Sequence, residues 1–207
     1  MLHKTRGIVF KTTKYSETSV IAKIYTENFG VQSYMVNGIR STKSKNKAAL
    51  LQPGNILDMV VYYRENKNLQ RIKEFKSGFI YTSTTFDVVK SSILLFCVEV
   101  LNKAIQEEES NEPLFEFISN AFERLDNIET SAANFHLWFM TQLSGFLGFF
   151  PNGCFSTSTP YFDLLDGTFF QELKAQQYFL EPPLSRTFST VLENDFEAVS
   201  YTHLTLP

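Results

Sequence analysis

A chain of 207 residues with 43% hydrophobic content has the apolar material to bury a core in one large domain or two small ones, which excludes general disorder and an obligatory disulfide or metal scaffold. The net charge is only −3, yet it is divided: residues 1–82 carry 14 Lys and Arg against 5 Asp and Glu, net +9, and the remainder carries 5 against 17, net −12. The first part suits a polyanion and the second repels one, or the two attract each other.

No apolar run approaches the roughly 20 residues of a membrane span, and the N-terminus has no signal-peptide core. A soluble cytoplasmic protein without membrane association is expected. Cys97 and Cys154 lie too far apart in sequence to suggest a disulfide framework.

The first 82 residues read as β structure. "TRGIVFKTTKY" is β-branched, "SVIAKIYTE" follows a Ser-Glu-Thr turn, and "NFG" turns the chain into "VQSYMVNG". "PGNILDMVVYYR" opens on a Pro-Gly turn, "ENKN" is a short polar connection, and "LQRIKEF" is a fifth strand. Five short strands in a basic module predict a small OB-type barrel. Between the third and fourth strands lies "NGIRSTKSKNKAALLQP", with Arg40, Lys43, Lys45 and Lys47 and no acidic residue; its end, "KNKAALL", has the composition for one or two helical turns.

From about residue 84 the period changes to three and four, with Phe86, Val89, Ile93, Phe96, Val100 and Ala104 on the expected apolar face and Thr84 or Thr85 as cap. "NEPLFEFISNAFERLDN" predicts a second helix, capped by Asn111 with Pro113 in its first turn. "TSAANFHLWFMTQLSGFLGF" predicts a third, capped by Thr130 or Ser131 and ending near Gly148. The overall expectation is α+β: a five-stranded OB-fold barrel over 1–82, then an α-helical bundle domain over 83–199. A loop-rich segment near 151–170 and one more helix in "SRTFSTVLENDFEAVS" complete it.

Catalysis has little support. His3, His136 and His203 fall in three separate regions, and no nucleophile elbow, metalloprotease motif or phosphate loop is present. Asp163 and Asp166 precede Gly167 and read as turn residues rather than metal ligands. Cys154 has no CxxC partner for structural zinc, and Cys97 reads as core.

The basic module has a definite reading. Cations along a loop displace counterions from phosphates, and an OB groove combines such cations with aromatic platforms. Lys11, Lys14, Arg40, Lys43, Lys45, Lys47, Arg71 and Lys73 are interleaved with Phe10, Tyr15, Tyr34, Tyr62 and Tyr63, of which alternation assigns about half to the core. Arg71 and Lys73, two apart on one strand, share a face. An adaptor whose basic loop meets an acidic protein is the alternative. The aromatic run "FHLWFMTQLSGFLGFF" is either buried in the bundle or leaves a groove for an apolar-anchored peptide.

These residues carry a resemblance. The opening "GIV", Glu17 in "YSET", "YTENFG", "NGIR", "KSK", "LLQP" and later "GFLGFFPN", in this order, resemble the RecO family of recombination mediators. The resemblance implies an OB-fold followed by a helical domain, and a non-enzymatic protein without cofactor. Such a protein binds single- and double-stranded DNA, promotes annealing, and assists RecA loading with RecR on strands coated by single-stranded DNA-binding protein. That last partner is expected to offer its acidic, Phe-ended C-terminal tail to the helical domain, where Lys90, Lys103, Arg124, Lys174 and Arg186 are the available cations.

The candidate DNA-binding set is Arg6, Lys11, Lys14, Tyr15, Arg40, Lys43, Lys45, Lys47, Arg71 and Lys73. Some members of the family carry a four-cysteine zinc module after the "GF.P" stretch. Here only Cys154 stands near a ligand position, and Phe155, Tyr161, Phe162, Phe169 and Phe170 are expected to hold the segment instead. The family continues with a final helix, whereas residues 200–207 match nothing expected of it and read as a non-native tail.

Overall fold

A computed structural model describes residues 1–39, 45–172 and 178–193; the side chains of Lys45 and Asn46 lie outside that description. Arg40, Lys43, Lys174 and the 200–207 tail named above therefore lie outside the described residues. The chain divides into two compact units, residues 1–127 and 128–207.

Five strands form the first unit's barrel: β1 (Leu2–Lys14), β2 (Val20–Thr26), β3 (Gly30–Val36), β4 (Ile56–Tyr62) and β5 (Gln70–Ser77). Their order around the closed barrel is β1-β2-β3-β5-β4, all pairs antiparallel except the β3–β5 pair that closes it. A short helix, α1 (Lys45–Leu50), sits in the β3–β4 connection. Alternation sends Val9, Ala22, Ile24, Tyr34, Val36, Leu57, Met59 and Val61 into one interior cluster, with Ile39 and Leu51 from the connection joining it. Each fully buried aliphatic side chain there contributes about 2 kcal/mol. Gly7 lies under this cluster, where a Cβ would overlap the Met59 and Ile24 side chains.

Two helices complete the first unit, α2 (Val88–Ala104) and α3 (Glu112–Asn127). Part of the outer wall of β1 and β2 is covered: Phe10 stacks on Tyr25 at 5.7 Å, and Tyr25 meets Phe115 of α3 at 5.9 Å. The Tyr25 hydroxyl donates to the Asn111 carbonyl at 3.3 Å; burial, reinforced by Glu107, pushes its pKa up to about 12. Gly30 opens β3 at φ +59°, and a Cβ there would fall 2.6 Å from the Glu107 carbonyl, which instead accepts the Val31 N–H at 3.0 Å.

Asp126, near the end of α3, is buried and organises the junction between barrel and helices. Its carboxylate accepts the N–H groups of Thr82, Ser83 and Thr84 at 2.7 to 3.0 Å and the Thr82 hydroxyl at 2.9 Å. Buried Lys90 donates to the Asp126 carbonyl at 2.9 Å and to the Ser83 hydroxyl at 2.7 Å. Burial alone would raise the Asp126 pKa. The converging backbone donors outweigh it and hold the carboxyl well below the usual range.

The helices depart from expectation in phase and start. α2 buries Lys90, Ile93, Leu94, Cys97, Val98 and Leu101, whereas Phe86, Val89 and Phe96 are exposed. Its cap is Asp87, which accepts from Val89 N and Lys90 N, rather than the expected Thr84 or Thr85; Thr84 instead gives its N–H to Asp126. α3 follows its prediction, with Asn111 accepting from Leu114 N at 3.1 Å.

The second unit contains α4 (Phe135–Phe146), β6 (Tyr161–Asp163), β7 (Thr168–Phe170), β8 (Phe179–Leu180) and α5 (Pro182–Glu193). α4 starts after Asn134 rather than at Thr130 or Ser131; Ser131 holds the preceding turn through Ala133 N. The segment expected to be loop-rich contains part of a small sheet of order β7-β6-β8. Tyr161 stacks on Phe170 at 5.5 Å, and Phe162 packs on Phe169 and on Phe188 of α5 at 4.8 and 4.7 Å. Asp163 accepts from Leu165 N and Asp166 N, the turn role expected before Gly167. Among the described residues no helix is long and apolar enough to cross a membrane.

Candidate nucleic-acid interface

The register of the barrel sets two rows on its outer surface. Lys11 lies opposite Lys23 and Lys23 opposite Ser33; Thr13, Ile21, Met35, Arg71 and Tyr62 form the next row across β1, β2, β3, β5 and β4. A bulge in β5 leaves Lys73 as the extra residue between Ile72 and Glu74, so Lys73 and Glu74 are both exposed while Phe75 is half-buried.

Two adjoining depressions share Met35 and Arg71. The smaller, about 220 Å³, is bordered by Asn37, Ile39, Lys47, Lys73 and Glu74. The larger, about 490 Å³, is bordered by Tyr62, Arg64, Lys67, Leu69 and Gln70. Five cations, Lys47, Arg64, Lys67, Arg71 and Lys73, thus surround them, and all five are exposed.

Local structure explains how these cations are presented. Gln70 is buried, and its amide accepts from Arg64 N at 3.1 Å while donating to the carbonyls of Arg64 and Lys67 at 2.8 and 2.7 Å. One side chain thereby pins the β4–β5 loop that carries Arg64 and Lys67. The helix bearing Lys47 is anchored by Asn55, which donates to the Ala49 and Leu50 carbonyls, and by Thr12, which donates to the Leu51 carbonyl at 2.7 Å. The β1–β2 loop is tied to the same rim: Ile39 N donates to Thr18 O and the Ser19 hydroxyl to Asn37 Oδ1, both at 3.0 Å.

The structure therefore brings Lys47, Arg71 and Lys73 to one rim. Lys14 and Tyr15 stand exposed at the neighbouring loop, Tyr15 with 60% of its surface accessible. Lys11 is exposed one row away beside Lys23. Lys23 donates to the Asn102 carbonyl, and burial, aided by the charge of Lys11, lowers its pKa. Arg6 stands elsewhere: its guanidinium is bound by Glu27 at 2.8 Å and by Glu116, and lies 5.0 Å from the Phe115 ring centre. Both Glu27 and Glu116 raise its pKa. Arg40 and Lys43 lie outside the described residues, as does the Lys45 side chain.

Arg64 and Lys67 were missed by the sequence reading. The signal available was their place in the β4–β5 loop of an OB barrel, masked there by Glu65 between them. Of the interleaved aromatics, Phe10 and Tyr34 are buried, Tyr63 stacks on Phe29 at 4.0 Å, and Tyr15 and Tyr62 keep exposed rings.

A closed five-stranded barrel with a cation-lined outer groove, followed by helices, defines an OB-fold protein with a helical extension. Residues 1–79 match the family described as Recombination protein O N terminal, and residues 85–189 match Recombination protein O C terminal. The chain belongs to the RecO family, and its role is in DNA repair and recombination.

The chain is 44% identical over 169 residues to a DNA repair protein RecO of Bacteroides fragilis, covering 82% of this chain and 70% of that one. It is 37% identical over 205 residues to that of Phocaeicola vulgatus (96% and 83%) and 36% over 202 residues to that of Christiangramia forsetii (97% and 83%). An Entamoeba histolytica asparaginyl-tRNA synthetase structure aligns at a TM-score of 0.32 and 13% identity over 75% of this chain and 35% of that one, too weak a likeness to bear on the fold.

Proposed function

We propose that residues 1–82 are a DNA-binding domain that engages single and double strands through the groove between β3 and β5, promotes their annealing, and acts without catalysis. The observation that carries this reading is the set of five exposed cations around two adjoining depressions on one barrel face. Phosphates held on Lys47, Arg71 and Lys73 lose part of their mutual repulsion, so two strands approach at lower cost. Lys11, Lys14 and Tyr15 extend this surface, and Arg40, Lys43 and Lys45 of the β3–β4 connection add their charge to the same binding reading.

The helical domain, residues 83–199, takes the protein partners implied by family membership, RecR and the tail of single-stranded DNA-binding protein, in assisting RecA loading in the cytoplasm. A depression of about 680 Å³ in the second unit, bordered by Met140, Phe149, Phe150, Leu164, Leu165 and Phe188 together with the polar Thr141, Ser144, Asn152 and Asp166, offers aromatic and aliphatic contacts that support docking of the Phe end of such a tail. Fluorescence anisotropy with labelled single and duplex DNA, together with an annealing time course of complementary strands, tests the reading. Binding to both forms and faster annealing are expected. Failure to bind either form, with retention of an acidic peptide, would replace it by the adaptor reading.

A further inference from the structure

Lys47 borders the smaller depression from α1, a helix of six residues in the β3–β4 connection. A helix that short is not stable by itself, so the place of Lys47 depends on what holds α1. The chain leaves α1 through Leu51, Gln52 and Pro53 and turns at Gly54, at φ +90°, before entering β4. Asn55 ties this turn back to the helix, donating to the carbonyls of Ala49 and Leu50 at 2.9 and 3.1 Å.

Gly54 is buried, and two side chains from outside the connection hold it. The Tyr81 hydroxyl donates to the Gly54 carbonyl at 2.7 Å. Leu94 of α2 packs on Gly54 so closely that a Cβ there would fall 2.8 Å from Leu94 Cδ2. Tyr81 is itself fixed. Asp126 of α3 accepts from the next three residues, 82–84, and Lys90 of α2 donates to Ser83. The Phe79 ring meets the Tyr81 ring edge-on at 5.1 Å. Burial, with the charges of Asp126 and Glu123, raises the pKa of Tyr81, so its hydroxyl remains a donor throughout the neutral range. Contacts thus run from α3 through residues 82–84 to Tyr81, from Tyr81 to Gly54, and through Asn55 to α1. Tyr81, Leu94 and Asp126 border neither depression of the groove.

We infer that Tyr81 is a positioning residue of the DNA groove: its bond to Gly54, seconded by Leu94, seats α1 so that Lys47 is in place before DNA arrives, and the helical extension thereby tunes the affinity of a surface it does not line. The inference rests on the DNA-binding reading above and deepens it by naming a control on that site. A loosely seated α1 would have to be ordered as DNA binds, and that cost lowers affinity. The effect is confined to Lys47. Arg71 and Lys73 belong to β5, and Arg64 and Lys67 are held through Gln70, so none of the four depends on Gly54.

Anisotropy titrations of duplex DNA at fixed salt with wild type, Tyr81→Phe, Lys47→Ala and the double variant test this. Tyr81→Phe removes the hydroxyl and keeps the ring. It should weaken binding about threefold, the scale of ordering one long side chain on association. In the Lys47→Ala background the same substitution should change affinity by less than about 1.5-fold, because the side chain it positions is gone. Hydrogen exchange of the free protein should rise at residues 51–55 in Tyr81→Phe and stay unchanged at residues 64–69. Equal losses in the two backgrounds would overturn the inference, since Tyr81 would then act on the fold as a whole and not through Lys47. So would unchanged affinity, or unchanged exchange at residues 51–55, in Tyr81→Phe. If Lys47→Ala bound DNA as tightly as wild type, the DNA-binding reading of this rim would fall and the inference with it. A loss in Lys47→Ala without coupling to Tyr81 would sink the positioning role alone.

Discussion

Asp126 concentrates more bonding than any single residue of the candidate groove. Four donors from residues 82–84 converge on its carboxylate, and truncation to Ala would leave the buried Thr84 N–H and the part-buried N–H groups of Thr82 and Ser83 without this acceptor. The expected loss is on the order of 3 kcal/mol in urea unfolding at neutral pH. The pH dependence follows from the depressed native pKa. The unfolded chain titrates Asp126 near about 3.9 and the native one lower, so between those values the unfolded state binds more protons. Its contribution is complete above the unfolded value and disappears as pH falls through the native one. Asp126→Asn should flatten the acid limb of the stability profile; an unchanged limb would show that other carboxylates dominate it.

The two cysteines give a second residue-scale prediction. Cys97 is fully buried, and burial pushes its thiol pKa up to about 12, whereas Cys154 is exposed. A thiol reagent should label one equivalent quickly in the native protein and the second only on unfolding, and Cys154→Ser should abolish the fast phase. Fast labelling of both would contradict the packing of α2. The core role of Cys97 was legible because it sits inside a long apolar run. The web around Asp126 was not, because nothing in the sequence ties residue 126 to residues 82–84.

The strands were legible as elements, since β-branched runs bounded by Gly, Pro and Asn leave few other readings. α2 was legible as a helix but not in phase. Its large apolar residues are distributed around the circumference, with Val88, Leu95 and Phe96 exposed as well as Ile93, Leu94 and Val98 buried, so a three-and-four period selects no unique face. The pairs and triplets of the small second-unit sheet are too short to register as a period. In the β4–β5 loop, geometry depends on Gln70, a polar residue of a type that is mostly exposed and that no strand pattern marks as buried. Gln70→Ala should loosen that loop and weaken DNA binding by several-fold. Hydrogen exchange should rise at residues 64–69 and stay unchanged in β1 and β2. Unaltered exchange at the loop would show that the Gln70 bonds are dispensable.

At the scale of the molecule, the division of charge visible in composition follows the change from strands to helices: the +9 segment supplies the barrel and α1, and the acidic remainder supplies α2, α3 and the second unit. The groove itself was only partly legible. Arg71 and Lys73 share a face by simple alternation, and Lys47 follows from the loop it occupies. Arg64 and Lys67 lie in the loop that leads into β5, and it is the parallel β3–β5 closure that sets the end of β3, and with it the depression that Lys47 borders, beside Arg71 and Lys73, joining segments remote in sequence. Arg6 shows the converse, a cation of the basic module whose charge is already met by Glu27 and Glu116.

The central claim is that Lys47, Arg71 and Lys73 together hold phosphates, and a salt series measures it directly. Anisotropy titrations of duplex DNA with wild type and with the Lys47→Ala, Arg71→Ala, Lys73→Ala triple variant should show weaker binding and a log–log salt slope shallower by about two units or more in the variant. Equal affinity and equal slope in the two proteins would contradict the account.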